Sequence, residues 1–161
     1  GMRAYATLVD ASAVDACVVA GVGATVHLSV GASIDGRFHQ RVELSGTVDH
    51  VGTGDVRLSG PAFTGMEVSM GRCAVITQGS ISVLLTKRPA CTFDPESFRS
   101  VGLVPEEADV IAVRSANLFR AGWAGISGEA LILDLPGAST PRLDTLRFER
   151  APRRMYPVDR S

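Results

Sequence analysis

The sequence predicts an α+β fold: a single compact, strand-rich domain with a mixed or antiparallel sheet and two or three short helices. Short apolar segments of strand length alternate with glycine and proline turns along most of the chain. Clear helix-start signals occur at only a few places, and no internal repeat or low-complexity linker marks a second domain. Gly1 precedes Met2 as an expression remnant does, so we place the domain over residues 2–161.

The first third of the chain predicts one helix followed by two paired strands. Asp10 or Ser12 is expected to cap a helix over residues 13–20, because a short side-chain oxygen can accept the free N–H groups of the first turn. Strands follow at 24–30 and 41–50, with Asp35-Gly36 as a turn signal between them. Gly21 and Gly23 form half of a G-x-G-x-x-G pattern, but they follow a helix and precede a strand. We therefore interpret them as a helix end rather than a phosphate site.

The remaining chain predicts a hairpin, a second helix and two further strands. Residues 73–77 and 81–86 flank Gly79, and the second of these segments is apolar enough to be a central strand. Asp94-Pro95-Glu96 is a helix start, with an acceptor at the cap, proline in the first turn and an acid near the positive end of the helix dipole. The apolar runs 110–113 and 130–135 predict strands, and we expect the first to be buried and central.

Composition describes an ordinary globular protein. The net charge is −1 and charged residues make up 20%, which does not favour a nucleic-acid partner. No apolar run reaches the roughly 20 residues that span a bilayer, and the N-terminus lacks a charged start followed by an apolar signal core, so we expect no membrane partner and a cytoplasmic location. The three cysteines are far apart among apolar neighbours, which predicts reduced, buried thiols: Cys17, Cys73 and Cys91.

No complete catalytic set can be assembled from these residues. His27, His39 and His50 lack the close spacing typical of zinc ligands, so we expect neither a metal site nor a cofactor in this chain. Ser115 does not lie in a G-x-S-x-G motif, and hydrogen bonding to the turn that follows it is the simpler role. We therefore name no catalytic residue.

One segment nevertheless combines groups that bind ligands. Arg114, Ser115, Asn117 and Arg120 follow the apolar run 110–113 and are candidates for contact with a substrate or a neighbouring domain, because guanidinium groups and an amide together can hold a carboxylate. The alternative is a structural turn in which the arginines pair with nearby acids: Glu106, Glu107 or Asp109.

Motifs along nearly the whole chain resemble one family. These are GVGATVHLSVGA, GPAFTGMEVSMGRCAVI, LLTKRP, TFDPESFRSVGL, VRSANLFRAGW, DLPGAST and RRMYPVD. In their order and spacing they are similar to the C-terminal domain of the microcystinase C (MlrC)-like metallopeptidases. The family commonly has lysine where Arg114 stands and histidine where Leu118 stands, and a leucine can neither transfer a proton nor bind a metal.

The resemblance implies a role in a larger enzyme. In that family an N-terminal domain, absent from this chain, is expected to carry zinc and the hydrolytic chemistry. The chain would then be an accessory domain that supports or borders the active site of a catalytic domain, in the same or another chain, and would be inactive alone. The alternative is a non-enzymatic binding or oligomerisation module that forms homo-oligomers.

Overall fold

The computed structural model describes residues 1–34, 36–115, 117–135, 142 and 145–146, and the chain divides into two compact units, 1–130 and 131–161. The first unit holds eight strands: β1 (Ala4–Val9), β2 (Thr25–Val30), β3 (Val42–Gly52), β4 (Asp55–Arg57), β5 (Glu67–Ser69), β6 (Cys73–Gln78), β7 (Ile81–Thr86) and β8 (Val110–Ile111). It also holds the helices α1 (Ala11–Ala20), α2 (Glu96–Arg99) and α3 (Phe119–Gly122), with a 3-10 turn at Pro105–Glu107. These elements confirm the α+β prediction.

Six strands form one mixed sheet in the order β2-β3-β6-β7-β1-β8, and β4 pairs with β5 separately. The strands from β2 to β7 are antiparallel neighbours, whereas β1 runs parallel to both β7 and β8. The hairpin β6–β7 confirms the predicted pairing around Gly79, and β7 is central, as expected. The C-terminal ends of the parallel strands β7, β1 and β8 therefore lie at the same end of the sheet.

Helix α1 covers one face of the sheet, and its start confirms the first of the two predicted caps. The Asp10 carboxylate accepts the Ala13 N–H at 3.1 Å and the Gly31 N–H at 3.0 Å, so one side chain fixes both the helix and the loop after β2. Gly21, at φ 83°, ends the helix in a conformation that favours glycine. Under the helix lies an apolar core that contains Val14, Val48, Ile76 and Leu85, which are all essentially inaccessible to solvent.

The opposite face of the sheet carries α2, α3 and their connecting loops. An aromatic cluster joins β1 to both helices: Phe98 lies 5.7 Å from Trp123 edge to face and 6.2 Å from Tyr5 between ring centroids. Asp94, which is 2% exposed, accepts the N–H groups of Glu96, Ser59 and Gly60 at 3.0, 3.1 and 2.7 Å. Asp94, at the predicted helix start, therefore also fixes the loop after β4 through hydrogen bonds.

Two strand predictions were wrong. The run 110–113 yields only the two-residue strand β8 at the edge of the sheet, where Val110 is 48% exposed. The ladder stops there because the Arg114 N–H turns away to a side-chain oxygen, Thr92 Oγ1. The run 130–135 forms no strand and its leucines are exposed, since apolar composition alone supplies no strand edge to pair with. The turn residue Asp35 and the RRMYPVD motif lie outside the described residues.

Candidate functional site

Thr92 holds in place the segment that contains the candidate residues Arg114, Ser115, Asn117 and Arg120. It is 1% exposed, its Oγ1 accepts the Arg114 N–H at 2.9 Å, and its carbonyl accepts the Trp123 indole N–H at 3.0 Å. One residue of the loop between β7 and α2 therefore holds both ends of the segment 114–123. The Arg114 side chain is exposed while its backbone is fixed.

Ser115 has the structural role that the sequence favoured. Its Oγ accepts the N–H of Phe119 at 3.2 Å, at the start of α3. Phe119 is buried in the aromatic cluster, so this bond helps to seat α3 against the sheet. The prediction that Ser115 bonds to the following turn is confirmed.

Arg120 and Asn117 do not join Arg114 in one group. The Arg120 guanidinium carbon lies 5.2 Å from the centroid of the Phe119 ring, a cation–π arrangement on the outer side of α3. Asn117 is exposed, and its carbonyl accepts the Arg120 N–H at 3.3 Å. Of the four candidate residues, Arg114 is the one that lines the cleft at the ends of β1 and β7.

The alternative interpretation, in which these arginines pair with nearby acids, was wrong within the described part of the chain. Glu106 pairs with Arg99, whereas Glu107 pairs with Arg3. The Asp109 carboxylate accepts the Arg3 backbone N–H at 2.6 Å. The pKa of Glu106 lies below its ordinary value because its own backbone N–H and then Arg99 favour the charged form. Two of the acids next to the candidate segment are therefore paired with other cations, and the third accepts a backbone N–H.

A cleft of about 200 Å³ opens where β1 and β7 end. Its polar lining consists of three hydroxyl side chains and one guanidinium, Thr7, Thr86, Thr92 and Arg114, and its apolar lining consists of Val9, Ile34, Pro89 and Ala90. The parallel register pairs Thr7 with Leu84 and Val9 with Thr86, which places both strand threonines on the same face of the sheet.

Two of these hydroxyl groups have no hydrogen-bond partner among the described residues. Thr7 Oγ1 and Thr86 Oγ1 each expose less than 1 Å² and make no hydrogen bond in the structure. Sequence reasoning missed Thr7, Thr86 and Thr92, because a threonine in an apolar strand looks like an ordinary β-branched residue. The only local signal was a hydroxyl at the end of the otherwise apolar run 83–86.

The histidines lie apart from this cleft. His27 is exposed on β2, with Nδ1 2.9 Å from Ser45 Oγ; His39 is exposed in the loop before β3; and His50 is half-buried on β3. Among the residues that the structure describes, no three His, Cys, Asp or Glu side chains lie close enough to hold a metal ion. These residues do not fit a zinc site.

The three cysteines are free thiols, as predicted, although only two of them are fully buried. Cys17 and Cys73 are buried, and Cys91 is partly buried. Burial raises the pKa of each thiol above its ordinary value, which makes all three poor nucleophiles.

In the described ranges, no helix has the length and apolar character needed to cross a membrane.

Comparison with known proteins identifies the family to which the chain belongs. The family described as MlrC C-terminus matches residues 2–150, whereas no functionally curated protein matches. Among solved structures, a "putative metallopeptidase" from Mesorhizobium sp. BNC1 is similar at 26% identity with a TM-score of 0.81. The alignment covers 99% of this chain but 32% of that one, so the chain spans about a third of its length. Because the family match extends over well more than half of its residues, the chain belongs to the MlrC C-terminus family.

Proposed function

We propose that this chain is the accessory C-terminal domain of an MlrC-like zinc metallopeptidase, which supports or borders the active site of a separate catalytic domain and is not catalytic alone. The observation that carries the proposal is the coverage: almost the whole chain superimposes on about a third of a protein named as a "putative metallopeptidase". The remaining two thirds of such a protein would supply the catalytic residues.

Zinc belongs to the proposed catalytic domain and not to this one. Zinc hydrolysis uses three protein ligands around an open position, where the metal activates a water molecule. The described residues of this chain do not form such a set. We therefore derive no catalytic step through a metal from these residues.

The segment 114–120 is the part of this chain that we propose to face the catalytic domain or its substrate. Its backbone is fixed through Thr92 and Ser115, while Arg114, Asn117 and Arg120 expose their side chains. A rigid backbone that presents charged and amide groups suits recognition, because little conformational freedom is lost when they bind.

The proposal is tested first on the native protein. An antibody raised against this chain should detect, in the source organism, a polypeptide roughly three times as long. That protein should hydrolyse peptides, the isolated chain should not, and deletion of the domain should reduce hydrolysis. A native polypeptide of 161 residues, or peptide hydrolysis by the isolated chain, would contradict the proposal.

Point variants in the longer protein distinguish a domain that borders the active site from one that only supports the catalytic domain. Arg120→Ala removes a cation from the proposed facing segment, and Arg72→Ala removes an exposed cation from the turn before β6 as a matched control. If the segment borders the active site, Arg120→Ala should raise KM with unchanged thermal stability, whereas Arg72→Ala should leave both unchanged. Equal KM values for the two variants would argue against the bordering role.

A binding or oligomerisation module is the second candidate, and one observation favours it. Residues 131–135 include four exposed apolar side chains: Leu131 at 79%, Ile132 at 50%, Leu133 at 69% and Leu135 at 66%. Neighbouring exposed apolar side chains often mark a surface that another protein covers. Sedimentation of the isolated chain separates the candidates: a concentration-dependent dimer that Leu133→Glu dissociates would favour the module, and a monomer would favour the accessory domain.

A further inference from the structure

We infer that the cleft at the ends of β1 and β7 binds an organic carboxylate, with Arg114 as the charge partner and the hydroxyls of Thr7 and Thr86 as donors. This inference does not depend on the proposed function, because it concerns a ligand held by this chain's own residues. It applies whether the carboxylate belongs to a free peptide or to an acidic side chain of an adjoining domain.

The unpartnered hydroxyl groups are the first reason. Thr86 is 0% exposed and Thr7 Oγ1 is shielded from solvent, yet neither hydroxyl makes a hydrogen bond to any residue that the structure describes. A buried polar group without a partner is unfavourable, and in native proteins such groups usually meet a ligand or an ordered water. Rotation of either side chain about its Cα–Cβ bond moves the hydroxyl to another staggered position, from which it can donate to a bound group.

Charge is the second reason. Arg114 is exposed at the mouth of the cleft and forms no ion pair among the described residues. The acids nearest to it in sequence are engaged by Arg3 and Arg99. No acidic side chain contributes to the described lining. Among the described lining residues, a ligand in the cleft therefore meets one positive charge and no negative charge.

Donor chemistry narrows the ligand further. The guanidinium has donors only, and the two unpartnered hydroxyls have donors to spare. An ionised carboxylate has acceptors only, and it forms strong charge-assisted bonds to arginine. A neutral amide would place its own N–H groups against these donors and would lose part of the interaction.

The apolar half of the lining distinguishes an organic acid from an inorganic anion. Val9, Ile34, Pro89 and Ala90 form this half. Their side chains offer no donors to the remaining oxygens of phosphate or sulfate, but they can cover a short hydrocarbon chain. The cleft volume of about 200 Å³ is below the roughly 300 Å³ at which pockets accept drug-sized ligands. The ligand is therefore a short aliphatic carboxylate, such as a peptide terminus or an acidic side chain.

The test is a titration of the 161-residue chain with acetate, isobutyrate, isobutyramide and phosphate, followed by calorimetry and intrinsic fluorescence. Trp123, the one tryptophan, reports on the cleft because it bonds to the carbonyl of Thr92. Isobutyrate should bind saturably and more tightly than acetate, by about fourfold for each additional buried carbon group. Isobutyramide and phosphate should bind much more weakly.

Variants assign the binding to these residues. Arg114→Gln should weaken isobutyrate binding at least about tenfold, as expected for a lost charged hydrogen bond. Thr86→Val, which keeps the side-chain shape, should weaken binding by about twofold to tenfold. Arg88→Gln is the matched control: Arg88 lies in the same loop as Ala90, but its stem packs against Gly71 and it does not line the cleft. The control should bind as the unaltered chain does.

Three results would overturn the inference. These are no saturable binding of isobutyrate, equal binding of isobutyrate and isobutyramide, or an equal effect of Arg114→Gln and Arg88→Gln. If the isolated chain binds isobutyrate, the same titration on the longer native protein identifies the source. Retained binding indicates a free ligand, whereas lost binding indicates that an acidic side chain of the adjoining domain occupies the cleft. Neither readout requires peptidase activity, so failure of the proposed function would be seen separately.

Discussion

Replacing Thr86 with valine should stabilise the unliganded chain. Thr86 is fully buried at the end of β7, and its hydroxyl has no hydrogen-bond partner in the described part of the chain. The substitution exchanges the hydroxyl for a methyl group of almost the same size, and both residues favour strands. Burial of an unsatisfied polar group costs about 1–3 kcal/mol, so Thr86→Val should raise the free energy of unfolding by about 1 kcal/mol or more.

Urea unfolding followed by Trp123 fluorescence measures this change. The midpoint should rise while the slope of free energy against urea stays the same, because the surface exposed on unfolding is unchanged. Thr92→Val is the matched control. Its hydroxyl accepts the Arg114 N–H, so its loss should lower stability by about 0.5–1.5 kcal/mol. Excess isobutyrate should narrow the gap between Thr86→Val and the unaltered chain, because the carboxylate partners the hydroxyl.

A loss of stability in Thr86→Val similar to that in Thr92→Val would refute the reasoning. It would mean that the Thr86 hydroxyl is already hydrogen-bonded in solution, for instance to an ordered water in the cleft. The unpartnered donor would then no longer support a ligand. Binding by Arg114 would have to be judged on its charge alone.

Three further predictions concern the frame of the site. Asp94→Asn should lower the free energy of unfolding by about 3 kcal/mol, measured in urea, because an amide cannot accept all three N–H groups that the carboxylate holds. Gly122→Ala should cost about 1–3 kcal/mol, since its Cβ would lie 2.0 Å from the Phe93 carbonyl oxygen. Asp10→Asn should reduce the amount by which the free energy of unfolding falls on acidification, measured by urea unfolding at several pH values.

The sign of the pH effect follows from the surroundings of Asp10. Burial acts to raise the pKa of this carboxyl, but hydrogen bonds from Ser12, Ala13 and Gly31, with the charge of Arg41, together hold it below its ordinary value. A carboxyl whose pKa is lower in the folded than in the unfolded chain stabilises the fold above the unfolded pKa of about 3.9. That contribution is lost as pH falls through the folded pKa. Asp10→Asn should therefore be less stable near neutrality, with a smaller loss on acidification.

Controls keep these predictions specific. Asp49→Asn alters an exposed acid on β3 and should change stability by less than about 0.5 kcal/mol. Gly128→Ala adds a Cβ that meets no atom within 4 Å and should be nearly neutral. Stability of Asp94→Asn or Gly122→Ala equal to that of its control would contradict the packing described here. If the free energy of unfolding of Asp10→Asn still fell steeply on acidification, other carboxylates would account for the pH dependence.

The sequence alone predicted the features that depend on neighbouring residues. Asp10 as a cap, the end of α1 at Gly21, the hairpin around Gly79 and the Asp94-Pro95-Glu96 turn each require only a few consecutive residues. The role of Ser115 was also local, since its acceptor bond reaches four residues along the chain. The family followed from the order of motifs, and the family comparison supports it over residues 2–150.

The tertiary structure alone decided what lies together across the sheet. Parallel pairing of β1 with β7 brings Thr7 and Thr86 to one face, and the Thr92 hydroxyl ends β8 by taking the Arg114 N–H. Local periodicity carries no record of either event, because it reports which residues are apolar and not which strand edge they will meet. For the same reason the run 110–113 was expected at the centre of the sheet but forms a short edge strand. The cleft exists only because residues distant in sequence leave two hydroxyls and a guanidinium at the same end of parallel strands.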